Sequence, residues 1–86
     1  GEIARVTLEG ENAKVGLVID RFGKNVPILR QDAEHFAAHV EVAVSPQFLG
    51  WIASLGGALR ITAPESVVQS MRELVKTLSA QYYFEE

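Results

Sequence analysis

The stretch Phe36-Ala37-Ala38-His39-Val40-Glu41-Val42-Ala43-Val44-Ser45-Pro46 decides the fold. Phe36, Ala38, Val40, Val42 and Val44 alternate with Ala37, His39, Glu41 and Ala43, and His35 precedes them in the same rhythm. A period of two is the repeat of a strand, whose successive side chains point to opposite faces. One face is therefore apolar and the other mixed and polar. Ser45-Pro46 then starts a helix: a hydroxyl caps the free N–H groups, and proline sits where its missing N–H costs nothing. Phe48, Trp51, Ile52 and Leu55 line one face of that helix. Gly56-Gly57 stops it.

Towards the N-terminus, Ala4, Val6 and Leu8 alternate with Ile3, Arg5, Thr7 and Glu9, which predicts a half-buried strand ended by Gly10. Asn12 then caps a helix with Val15, Val18, Ile19 and Phe22 at i, i+3, i+4 and i+7, and Gly23 follows it in the C′ position. Val26 to Gln31 reads as a short strand, demoted to an edge or an irregular start by Pro27. Asp32, Ala33 and Glu34 form a turn. Towards the C-terminus, Ala58 to Ile61 is a fourth short strand. Thr62-Ala63-Pro64-Glu65 matches a capping box. A last helix carries Val67, Val68, Met71, Leu74, Val75, Leu78 and Tyr82.

The order predicts an α+β domain of the ferredoxin-like kind. It is a βαββαβ antiparallel sheet with two crossover helices on one face, plus an added C-terminal helix. Residues 1–86 are expected to form a single domain, cut as a fragment from a longer protein. With no cysteine, the fold rests on its core.

The formal net charge is -3. A domain that grips DNA by neutralising phosphates carries a basic face. Here the eight basic residues are scattered, which disfavours direct duplex binding. No apolar run reaches the ~20 residues of a membrane helix.

No catalytic constellation emerges. His35 and His39 share a strand face but stand roughly 13 Å apart at ~3.3 Å per residue, too far for one metal ion. They read as exposed sheet-face residues, and no metal or cofactor is expected. Glu9 and Glu11 flank a turn, and Glu85 and Glu86 end the chain, so no carboxylate pair is placed for acid–base work. The serines lack a nucleophile elbow and the glycines a phosphate-binding pattern. The chain is therefore not expected to be an enzyme.

Two surfaces invite a partner instead. The open sheet face is expected to display Arg5, Thr7, His39, Glu41, Arg60 and Thr62, either plainly solvated or docked on another domain, subunit or small polar ligand. It lacks the exposed strand aromatics of an RNA-binding sheet. The last helix has a wide apolar stripe, continued by Tyr82-Tyr83-Phe84. Val67, Met71, Leu74, Val75 and Leu78 are its candidate interface residues, with core packing the competing account.

Several segments together carry a family resemblance: Val6-Thr7-Leu8, Val18-Ile19-Asp20-Arg21-Phe22-Gly23, the valine-rich strand ending in Ser45, and Phe48-Leu49-Gly50-Trp51-Ile52. Ser54-Leu55-Gly56, Leu59-Arg60-Ile61 with Pro64-Glu65, and Arg72-Glu73-Leu74 complete it. The run resembles the C-terminal extension, or WCX domain, of bacterial WYL-domain transcription regulators. The resemblance implies a cytoplasmic parent with a DNA-binding winged helix-turn-helix, then a WYL domain, then this piece. It implies a regulatory domain that supports dimerisation, making a homo-oligomer of the parent, and that helps to sense a nucleic-acid or small-molecule effector. Arg21, Lys24 and Arg30 are the effector contacts it suggests. The alternative reading is an ACT-like small-molecule-binding domain, which shares the βαββαβ order.

Overall fold

Alternating side chains on β1 (Ile3–Glu11) and β3 (His35–Ala43) make the two nine-residue strands at the centre of the sheet. The computed structural model describes residues 2–83. β1 and β3 pair antiparallel along their whole length, from Ile3 opposite Ala43 to Glu11 opposite His35. Val6 therefore faces Val40, and Leu8 faces Ala38. β2 (Ile28–Arg30) flanks β3, and β4 (Leu59–Ala63) flanks β1. The result is a four-stranded antiparallel sheet of order β2-β3-β1-β4 with three helices, a mixed α+β fold.

The even-numbered residues of the two long strands form the core face. Val6, Leu8, Phe36, Ala38, Val40 and Val42 are buried there with Leu59 and Ile61 of β4. Val18 of α1 (Val15–Phe22) and Phe48 and Ile52 of α2 (Pro46–Ser54) join the same cluster, so both helices cover that face. The Ser45 hydroxyl accepts from the Phe48 N–H at 3.2 Å, and Pro46 takes the first turn, as the sequence requires. α3 (Glu65–Tyr83) packs against β4 and contributes Val67 to the core.

Local departures have long-range causes. β1 runs on through Gly10 to Glu11, because the strand stays paired with β3 up to His35. Asn12 does not cap a helix. It opens a 3-10 turn, Asn12–Lys14, and its side-chain amide donates to the Ala33 carbonyl at 3.2 Å instead. β2 shrinks from the expected Val26–Gln31 to three residues. Thr62 lies inside β4 rather than in a capping box, and α3 starts at Glu65, with Pro64 O accepting from Val67 and Val68.

Candidate binding surfaces

The odd-numbered strand residues form the open face of the sheet. Arg5 stands opposite Glu41 and Thr7 opposite His39, while Glu9 lies between Ala37 and Arg60. Thr7 Oγ1 and His39 Nδ1 are 3.0 Å apart. Gln31 Nε2 donates to Glu9 Oε2 at 3.3 Å, across the width of β3. Arg5, Glu41 and Arg60 are exposed, and Thr7 and His39 are half-buried. Thr62 is half-buried beside a register shift: Leu8 faces Ile61 but Thr7 faces Ala63, which makes Thr62 the extra residue of a bulge.

His35 and His39 sit four residues apart on β3, each with its own partner. The turn that joins β2 to β3 is built on Asp32. Its Oδ1 accepts the Glu34 N–H at 2.8 Å and the His35 N–H at 3.0 Å, and lies 2.9 Å from His35 Nδ1. The Glu34 backbone bond and the His35 side chain hold the Asp32 carboxyl below its ordinary range. The same hydrogen bond to Asp32, followed by the charges of Asp32, Glu34 and Glu11, raises His35. No group of three or more His, Cys, Asp or Glu able to hold a metal occurs among the described residues.

The three basic residues singled out from the sequence sit on a helix, a loop and a strand. The Arg21 guanidinium lies 4.8 Å from the centre of the Trp51 ring. Phe22 meets Trp51 edge-on at 5.6 Å, so Trp51, half-buried against the core, also clasps α1 to α2. Lys24 is exposed in the loop before β2. Arg30 is exposed at the opposite end of β2, across from Phe36.

The α3 stripe divides along its length. Val67 is 3% exposed and belongs to the core, so it presents nothing to a partner. Met71 and Leu74 are half-buried. Val75 (53%) and Leu78 (41%) are open, as are Tyr82 and Tyr83. Val75, Leu78, Ser79, Tyr82 and Tyr83 line a shallow hollow of about 500 Å³ on this half of the helix. Phe84, Glu85 and Glu86 lie outside the described residues.

The alternation along β3 gave no sign of the concavity at its edge. A notch of about 320 Å³ opens beside β3, lined among others by Phe22, Asn25, Val26 and Pro27 and by Arg5, His39 and Glu41. The signal was Pro27, which marks where β2 must fray; how early β2 ends depends on tertiary packing. No helix among the described residues is long and apolar enough to cross a membrane.

Comparison with known proteins agrees with the segments that carried the resemblance. No curated protein and no solved structure matches the chain. The family model described as the WCX domain matches residues 2–79, from the start of β1 well into α3. The chain belongs to the WCX domain family.

Proposed function

We propose that this WCX domain is a non-enzymatic regulatory module of a bacterial, cytoplasmic transcription regulator, carried behind a winged helix-turn-helix that reads DNA and a WYL domain. Family membership over residues 2–79 carries the reading. The sheet order β2-β3-β1-β4, with α1 and α2 on one face, supports a ferredoxin-like scaffold with α3 added. Its reactive-looking side chains serve structure: Asp32 and His35 close a turn, and Thr7 and His39 brace the open face.

Within that role, the module supports dimerisation through the outer half of α3. Val75 and Leu78 are the contact residues, with Leu74 and Met71 beside them. Effector binding, to a nucleic-acid or small-molecule ligand shared with the WYL domain, draws on exposed Lys24 and Arg30. Arg21 then acts from its place over Trp51.

The test uses a regulator that carries this domain. Leu78→Glu is expected to shift its dimer towards monomer in sedimentation equilibrium while leaving the circular dichroism spectrum unchanged. A regulator that is strictly monomeric, and whose effector response is unchanged after removal of this domain, refutes the reading.

A further inference from the structure

β3 is nine residues long, yet β2 covers only three of them. The ladder shows which backbone groups this leaves open. Asn12 N–H donates to Glu34 O, and Val44 N–H to Glu2 O, so the even-numbered residues of β3 bond towards β1. The odd-numbered ones bond the other way: Gln31 N–H donates to His35 O, and His39 N–H to Pro27 O. Upstream of Pro27 the chain leaves the sheet, and Val26 packs against the core. Glu41 and Ala43 thus point their N–H and C=O groups outward, and no hydrogen-bond partner for them occurs among the described residues. Both residues are exposed.

Open strand edges are usually blunted, and an open one is a template for another strand. The walls around this edge select what fits. On the helix side the notch offers Phe22 and Val26; on the open face it offers Pro27, His39, Arg5 and Glu41. The Glu41 carboxylate makes no ion pair among the described residues. A basic side chain directly opposite Glu41 is a favourable cross-strand neighbour. It would stand two strand spacings, roughly 10 Å, from Arg5, about one Debye length at ordinary salt.

We propose that the Glu41–Ala43 edge of β3 is a docking site for an extended peptide segment that alternates basic and apolar residues, lying in the line that β2 vacates. Its backbone takes the four open groups of Glu41 and Ala43. Its apolar side chains enter the notch against Phe22 and Val26, and its basic side chain faces Glu41. A second copy of this chain is a poorer occupant, because two Glu41-bearing edges bring like charges together.

The probe is the acetylated and amidated peptide Lys-Val-Lys-Val-Lys, titrated into the isotope-labelled 86-residue chain. Amide exchange is expected to slow at Glu41 and Ala43, by about tenfold at saturation, and not at Val40 and Val42, which already bond to β1. Glu41→Lys changes an exposed side chain and keeps the fold. It is expected to weaken the basic peptide by about fivefold and to favour Glu-Val-Glu-Val-Glu in its place. The proposal is overturned if the Glu41 and Ala43 amides are unmoved, or if a peptide with alternate backbone N-methylation binds equally well. It is overturned too if raising the protein concentration protects these amides without peptide, because a second copy then holds the edge.

Discussion

Gly10→Ala is the sharpest test of how the sheet is assembled. Gly10 lies on the core side of β1, opposite Phe36 on one flank and Leu59 on the other. A Cβ placed there meets the Ala58 carbonyl oxygen at 2.7 Å, Leu59 Cδ2 at 3.0 Å and Phe36 Cε1 at 3.4 Å. Leu59 can rotate away, but the Ala58 oxygen is backbone and moves only if the start of β4 moves. Overpacking of this kind costs about 1–3 kcal/mol. Alanine recovers about 0.4–1 kcal/mol by restricting the unfolded chain. The net expectation is a loss of about 1–2 kcal/mol, or a fall in Tm of about 4–16 °C for a domain of this size. Urea unfolding followed by Trp51 fluorescence measures it, with a lower midpoint at an unchanged slope. Gly50→Ala is the control. Gly50 is inside α2, and a Cβ there meets nothing within 4 Å, so the same change is expected to stabilise by about 0.5–1 kcal/mol. If Gly10→Ala is as stable as the parent, β1 and β4 are not held at this distance and the reasoning fails.

Two further outcomes follow from burial and charge. Val67→Ala removes two core methyl groups and is expected to cost about 2 kcal/mol, whereas Val75→Ala stays within about 0.5 kcal/mol in the monomer; equal losses in chemical denaturation would contradict the division of α3. The Asp32–His35 turn is expected to be pH-dependent on two sides. Asp32 is lowered, so its contribution holds above the ordinary carboxylate range and is lost as pH falls through its lowered pKa. His35 is raised, so its contribution holds below about 6.5 and is lost as pH rises through its raised pKa. Amide protection at Glu34 and His35 should therefore peak between about pH 4 and 6.5, and His35→Gln should remove the upper limb. An imidazole that titrates at or below the ordinary value in an NMR titration would contradict the geometry.

Legibility in the sequence followed the range of the interactions. Alternation along Phe36 to Val44 placed the core face of β3, because the period of a strand is local. Ser45-Pro46 placed the start of α2 for the same reason. Asn12 and Thr62 misled, although each is a good cap by residue type. Asn12 is drawn off by the Ala33 carbonyl, 21 residues away, and Thr62 is held in β4 by pairing with β1. Trp51 had the spacing of a core residue and does pack half-buried against the core; its contacts with Arg21 and Phe22 on α1 were not legible in its own helix. The candidate contacts fared unevenly. Val67 and Val75 look alike in a helical stripe, and only the position of β4 makes one buried and the other open.

Side-chain periodicity, the Ser45-Pro46 cap and the stops at Gly23 and Gly56-Gly57 determined the elements and their order, and scattered charge argued against a duplex-gripping face. Those features are properties of short segments and survive in any tertiary context that keeps the segments intact. The packed chain decided the rest: where β2 ends, which half of α3 is free, and that Arg21 lies over Trp51. Each of these depends on residues distant in sequence that compete for the same hydrogen bonds and the same apolar contacts. The open edge at Glu41 and Ala43 arises in this way: the chain before Pro27 lies outside the sheet, with Val26 packed against the core.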